Sequence, residues 1–258
     1  MTADTDLSPE TPELSRYLTR YYKTVPGFSS LFSAKINSTL LRWQHAHGVK
    51  GDIAEIGVFL GRSVIALALA AAEEDKIVAV DKFTWPESAL PQFRAYAKQF
   101  GVRESALVPL SIDTRDLKPK ALIASGSGRK FRFFHVDGDH SPDAVRHDFS
   151  LAIESMSHGG IICLDDMLHP VYPELPGIVH DVLRRHPHLK IVCIIDREDV
   201  VAASKYVICD NDHFDSYKTV LSSEFSAYAL PLEAEFFTSR ALVLSLDAPI
   251  WSYYNRLS

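Results

Sequence analysis

The stretch Asp52-Ile-Ala-Glu55-Ile-Gly57-Val-Phe-Leu-Gly61-Arg-Ser63 decides the fold. Ile53, Ala54 and Ile56 form a short apolar run closed by glycine, the pattern of a buried strand. Ser63 to Glu73 follows as an Ala/Leu-rich helix. Gly57 and Gly61 stand where one must turn tightly into the other, and glycine allows such a turn and a close backbone approach. Working outward, the rhythm repeats. Strands are expected at Lys76–Asp81, Ala106–Leu110, Phe131–Val136, Gly160–Leu164, Lys190–Ile195 and Lys205–Cys209. Helices are expected at Pro86–Phe100, Leu117–Ala124, Pro142–Met156 and near Gly177–Arg185. Upstream, Ser33–His47 carries Ile36, Leu40, Leu41 and Trp43 at helical spacing, with Gly48 as a stop, and Leu14–Tyr22 suits a short amphipathic helix.

Strands alternating with helices specify a doubly wound, mostly parallel α/β sheet with right-handed crossovers, here of seven strands. The strands are continuous apolar runs, as a sheet buried on both faces requires. The expected organisation is an N-terminal helical cap over 1–50, a Rossmann-like domain over 51–210 and a C-terminal extension over 211–258. That extension carries the apolar run Ala241–Leu246 and the aromatics Phe236, Phe237, Trp251, Tyr253 and Tyr254. They suit core packing or an interface of a homo-oligomer, with a lid over the acceptor as the alternative.

The chain has 258 residues, with 27 Lys+Arg against 33 Asp+Glu, for a formal net charge of −6. That balance opposes a nucleic-acid partner, which needs clustered basic residues. The longest apolar run, Val64–Ala72, falls far short of the roughly 20 residues that span a bilayer, so no membrane association is expected. The polar, acidic N-terminus lacks a signal-peptide pattern. Cys163, Cys193 and Cys209 are an odd, widely spaced set inside apolar runs. They read as buried free thiols of a cytoplasmic protein.

In such sheets ligands bind beyond the carboxyl ends of the strands. Those ends carry Gly57, Asp81, Ser111, Asp137 and Asp165. Asp81 lies 20 residues after Gly61, and a carboxylate there can accept from both hydroxyls of a ribose. The spacing is G-x-x-x-G, with Phe59 where a dinucleotide fingerprint has its middle glycine, so a nucleoside without pyrophosphate fits better. The combination resembles the class I S-adenosylmethionine-dependent methyltransferases. The resemblance implies cofactor contacts from Glu55, Gly57, Gly61, Asp81 and Asp137, with Ser63 near the methionine part and Lys82, Phe83 and Asp113 around the adenosine.

A second constellation is acidic: Val136-Asp137-Gly138-Asp139-His140 and, on the next strand end, Leu164-Asp165-Asp166. Adjacent strands run about 4.8 Å apart, so these acids converge. Crowded carboxylates repel unless a cation lies between them, and hard oxygen donors suit Mg²⁺ or Mn²⁺. Helix capping accounts for one acid per helix and not for a pair. V-D-G-D-H followed by G-G-x-I-x-x-D-D resembles the metal-dependent O-methyltransferases, in particular the macrocin O-methyltransferase group. The catechol and caffeoyl-coenzyme A enzymes are more distant relatives. The resemblance implies metal ligands Asp137, Asp165 and Asp166, and a general base His140. It departs in one place, since Asp165-Asp166 stands where the sugar-modifying enzymes carry Glu-Asp. His135 reads as structural, and His169 as either a ligand-orienting or a substrate-contacting side chain. The expected acceptor is a small-molecule hydroxyl, on a sugar or another natural product. Competing readings are a Rossmann oxidoreductase, a metal-dependent hydrolase, an antibiotic-hydroxylation-related protein on the same scaffold, and a non-catalytic nucleoside-binding partner.

Overall fold

The computed structural model describes residues 5–237 and 239–250. Trp251, Tyr253 and Tyr254 therefore lie outside the described residues. The chain opens with α1 (Pro12–Arg16), a π turn and a 3-10 turn through Thr24, and α2 (Leu31–Ala46). Ser30 caps α2 by accepting from the Ser33 N–H at 2.9 Å, and Gly48, at φ +71°, lies beyond its end. Then follow β1 (Asp52–Ile56), α3 (Arg62–Ala70), β2 (Ile77–Asp81), α4 (Ala89–Gln99) and β3 (Leu107–Ser111). Next come α5 (Pro119–Ser125), β4 (Phe131–Val136), α6 (Pro142–Ser155), β5 (Met156–Met167) and α7 (Leu175–Arg185). The chain continues through β6 (Leu189–Ile195), β7 (Ser204–Asp210), α8 (Phe214–Glu224), β8 (Ala234–Phe236) and β9 (Ser239–Leu244).

The strand order is β3-β2-β1-β4-β5-β7-β6-β9-β8. β3, β2, β1, β4 and β5 are mutually parallel. β7 runs antiparallel between β5 and β6. Side chains alternate between the two faces, as the pleat dictates. Ile53, Phe133, Ile161 and Cys163 pack on one face with Leu40, Leu67, Phe93 and Val220. Ala54, Phe134, Ile162 and Leu164 pack on the other with Leu122, Phe149 and Val179. Helices thus cover both faces, the doubly wound plan that the apolar runs predict.

The expectation of seven strands is corrected to nine. The run Ala241–Leu244 is the inner part of β9, which pairs parallel with β6 through Cys193↔Leu242 and Ile195↔Leu244. β8 closes the edge as its antiparallel partner. The physical reason is burial. β6 would otherwise expose a row of unpaired backbone groups along an apolar strand. A boundary at 210 therefore cuts one continuous sheet. Among the described residues no helix is long and apolar enough to cross a membrane.

The chain order reverses between β1 and β4, and the crevice above their carboxyl ends is where this topology leaves room for a ligand. Gly57 makes it, at φ +86°. A Cβ there would fall 1.7 Å from the Asp137 carbonyl oxygen. Only glycine lets the ends of β1 and β4 lie this close.

Candidate active site

Above β1, β2 and β4 opens a cleft of about 680 Å³. Gly57, Asp81, Lys82, Asp113, Asp137 and His140 line it. Asp81 ends β2 and is fixed by two backbone donors. The Phe59 N–H donates to Oδ2 at 2.9 Å and the Phe83 N–H to Oδ1 at 2.7 Å. Both donors sit on residues with φ of +51°. A carboxylate offers about four acceptor sites, so each oxygen keeps capacity for a ligand hydroxyl. Ile56, Val80 and Ile112 supply an apolar wall beside it.

At the rim, Lys82 Nζ lies 2.8 Å from Asp113 Oδ2. Arg115 reaches the same carboxylate through Nη2 at 2.6 Å and Nε at 3.0 Å. The hydrogen bonds from Arg115 and then Lys82 hold the Asp113 carboxyl well below the usual range. Glu55, Gly61 and Ser63, expected at the cofactor, are not among the residues lining the cleft. Glu55 is fully buried, accepts from the Ser63 hydroxyl and lies 3.0 Å from His135 Nδ1. Gly61, at φ +93°, makes room for the Phe93 ring, which a Cβ would approach to 2.4 Å. These three shape the β1–α3 turn from behind the wall.

At the other end of the cleft floor stand the acids. β5 ends in two aspartates that point opposite ways. Asp165 faces into the sheet, where Lys205 Nζ meets Oδ1 at 2.5 Å and His135 Nε2 lies 3.3 Å from Oδ2. The Asp166 N–H also donates to Asp165 Oδ1. Asp166 itself takes φ +59°, a left-handed conformation unusual for a non-glycine residue. Its carboxylate contacts His140 Nε2 directly. Asp137 Oδ1 is 3.9 Å from the same nitrogen. The His140 ring stacks on Tyr172 at 4.4 Å and 8°, and Tyr172 packs in turn against His169 at 4.8 Å.

This sorts the three expected metal ligands. Both oxygens of Asp165 are engaged inside the protein. Burial alone would raise its carboxyl, yet the charge of Lys205 and the hydrogen bond from His135 hold it well below the usual range. The Lys205 ammonium is raised, since the charges of Asp165 and Asp137 outweigh the opposing effect of burial. The crowding argument for a bound cation is therefore met in part by Lys205, while donor atoms of Asp165, His135 and Asp137 also lie within 4.8 Å of one another. Asp137 differs. Burial first and the charge of Asp165 second push its carboxyl well above the usual range. Asp137, His140 and Asp166 bring donor atoms within 4.8 Å of one another at the cleft floor. The two carboxylates so placed suit a divalent cation, with the imidazole beside them.

Lys205 and Tyr172 are the functional residues that the sequence reading missed. A lysine inside the apolar strand Ser204-Lys-Tyr-Val-Ile-Cys is a legible anomaly, since such residues are rarely buried without a partner. Tyr172 sits in a loop and carries no local signal.

Comparison with known proteins fits this geometry. Residues 54–167 match the model of a family described as a methyltransferase domain. The match covers 114 of the 258 residues, so it marks a likeness of this segment to a methyltransferase domain. Tricin synthase 1 of Oryza sativa subsp. japonica is 32% identical to the chain over 176 residues, covering 64% of each protein. The chain thus spans just under two thirds of the length of that curated relative. Among solved structures, the O-methyltransferase TomG of Streptomyces achromogenes, involved in tomaymycin synthesis and in complex with S-adenosylmethionine, has a TM-score of 0.57 at 20% identity, covering 79% of this chain and 92% of that one. An O-methyltransferase of Bacillus cereus with S-adenosylhomocysteine has a TM-score of 0.57 at 14% identity, with the same coverage. At those identities the likeness is one of fold. The matched segment runs from β1 to the end of β5, so it includes Asp81, Asp137, His140 and Asp166.

Proposed function

We propose that the protein is an S-adenosylmethionine-dependent O-methyltransferase acting on a hydroxyl of a small molecule, a sugar or another natural product. The observation that carries this reading is one cleft with two chemistries. A ribose-type acid, Asp81, lines it at one end and the Asp137–His140–Asp166 group lies at its floor. The named activities of the relatives support it. The buried free cysteines support a reducing, cytoplasmic setting.

Asp81 would accept from the ribose hydroxyls, with Ile112 and Val80 against the adenine face. S-adenosylmethionine, when bound, supplies an electrophilic methyl on a sulfonium. Asp137 and Asp166 would hold a divalent cation, Mg²⁺ or Mn²⁺, whose chemistry is to lower the pKa of a coordinated hydroxyl and fix its position. His140 takes the hydroxyl proton on its imidazole, general-base work worth roughly 10²–10⁴ in rate. Asp166 orients that imidazole from one side and Tyr172 supports its plane.

The test has separable arms. S-adenosylhomocysteine should bind by calorimetry with or without Mg²⁺, and Asp81→Ala should abolish that binding. His140→Ala should keep the binding and lose at least 100-fold in turnover on a panel of phenolic and glycosidic acceptors. Methyl transfer at full rate in chelator would remove the cation from the reading. Failure of the unmodified protein to bind S-adenosylhomocysteine would remove the methyltransferase assignment itself.

A further inference from the structure

At the end of the sheet opposite the cleft, the start of β5 meets the end of β7. Four side chains with metal-binding chemistry gather there. Asp210, the last residue of β7, is rigidly held. Its Oδ2 accepts from the Gly159 N–H at 2.7 Å, and its Oδ1 accepts from the His213 N–H at 3.0 Å. His213 Nδ1 lies 2.8 Å from the same Oδ1. Nδ1 is therefore the ring nitrogen that His213 would offer to an ion shared with Asp210. His158, near the start of β5, places Nε2 3.9 Å from Asp210 Oδ2 and 3.1 Å from Asp212 Oδ2. The two imidazoles are 4.8 Å apart at 74°. Gly159 runs at φ +73°, and a Cβ on it would come within 3.0 Å of His213 Nε2.

Donor atoms of His158, Asp210 and His213 already lie within 4.8 Å of one another. A tetrahedral ion with bonds of about 2.0–2.2 Å needs ligand atoms roughly 3.3–3.6 Å apart. The observed contacts of 2.8 Å between His213 and Asp210, 3.1 Å between His158 and Asp212 and 3.9 Å between His158 and Asp210 fall on either side of that spacing. Asp212, on the exposed 3-10 turn that leads into α8, is a fourth donor within reach of His158. Two imidazoles with carboxylates suit a borderline ion such as Zn²⁺, unlike the oxygen-rich floor of the cleft. Eight strand residues separate His158 from Asp166, roughly 25 Å at strand rise.

We propose that His158, Asp210 and His213, with Asp212 completing the set, form a zinc site that clips the β5–β7 pair to the start of α8. The site is independent of the methyltransferase reading, since none of its residues lines the cleft. The test uses tag-free, chelator-stripped full-length protein with Zn²⁺ alone as the probe. The Asp166→Asn background removes competition from the cleft floor. Calorimetry should then give one equivalent of Zn²⁺, and His158→Ala added to that background should weaken it tenfold or more. His158 is largely exposed, so this variant folds. Co²⁺ should give tetrahedral d–d absorption that His213→Ala removes. Zn²⁺ should raise the melting temperature of the Asp166→Asn protein and not that of its His158→Ala derivative. No saturable Zn²⁺ binding in the Asp166→Asn protein, or an isotherm unchanged by His158→Ala, would overturn the site.

Discussion

Replacing Lys205 by methionine removes the cation that faces Asp165 and keeps most of the side-chain volume. Both groups are almost fully buried, at 1% and 5% exposure, with 2.5 Å between nitrogen and oxygen. Removing one partner of a buried pair typically costs about 3–5 kcal/mol, because the remaining charge has neither water nor counter-ion. Here His135 Nε2 sits 3.3 Å from the other Asp165 oxygen. Burial would lower the His135 pKa, but Asp165 and then Glu55 outweigh it and raise it well above the ordinary value. The imidazolium therefore retains part of the compensation, and the expected cost is the lower end, about 3 kcal/mol. At roughly 2–4 °C per kcal/mol for a chain of this size, the melting temperature should fall by about 6–12 °C. The assay is urea and thermal unfolding at pH 7 in chelator for Lys205→Met, Asp165→Leu and the double variant. The double variant should recover most of the loss, since a well-packed apolar pair replaces a buried ion pair at little cost. The cycle should give a coupling of at least about 1 kcal/mol. A single Lys205→Met variant that melts within about 2 °C of the parent, well short of the expected shift, would refute the reasoning. So would a coupling near zero.

Asp81→Asn should weaken S-adenosylhomocysteine binding tenfold or more, because hydrogen bonds to a charged acceptor are worth about 1.5–3 kcal/mol; calorimetry reads it, and an unchanged Kd would contradict the ribose role. Gly57→Ala should cost about 2–5 kcal/mol, combining a left-handed Cβ with its collision against the Asp137 carbonyl; an unfolding midpoint equal to the parent's would mean that the β1–β4 approach relaxes freely. Asp148 is buried, its Oδ1 lacks a hydrogen-bond partner, and burial raises its carboxyl above the ordinary value. A raised folded-state pKa means that its contribution is fully present below about pH 4, the unfolded value, and is lost as pH rises through the folded value. Asp148→Asn should therefore gain stability relative to the parent as pH increases from 4 to 7 in urea unfolding, and a pH-independent difference would show that the carboxyl does not ionise against burial.

The sequence carried the plan of the sheet as far as β7 because its strands are apolar on both faces and its turns fall on Gly57, Asp81 and Asp137. The two further strands were hidden for different reasons. β8 spans three residues, and Ala241–Leu244 is apolar without a helix partner to mark it as part of the βα alternation. Asp81 was legible as an acid closing the second strand, 20 residues after Gly61. The fate of Asp165 was not. Whether an acid at a strand end faces a ligand or the interior depends on what comes back from the far side of the sheet, and that information lies 40 residues away, at Lys205.

The antiparallel setting of β7 explains how one lysine can change the chemistry of the site. Parallel strands all deliver their carboxyl ends to the cleft, so a residue at the start of a parallel strand would lie at the opposite edge. β7 runs the other way, with Ser204 opposite Met167 and Tyr206 opposite Leu164. Its first residues therefore arrive beside the last residues of β5, and Lys205 reaches Asp165 from a strand that contributes nothing else to the acid group. The pleat and the left-handed turn at Asp166 then divide the two neighbouring aspartates. One is neutralised within the core, and the next is presented to His140 at the cleft floor. The pairing of Asp165 with Lys205 would leave the larger share of holding a cation to Asp137 and Asp166. It follows that Asp165→Asn should leave Mg²⁺ affinity nearly unchanged while costing stability. Asp166→Asn should do the reverse, since its carboxylate is the more exposed of the two. Titration calorimetry with Mg²⁺ on both variants separates these outcomes, and a large loss of Mg²⁺ affinity in Asp165→Asn would return that residue to the ligand set.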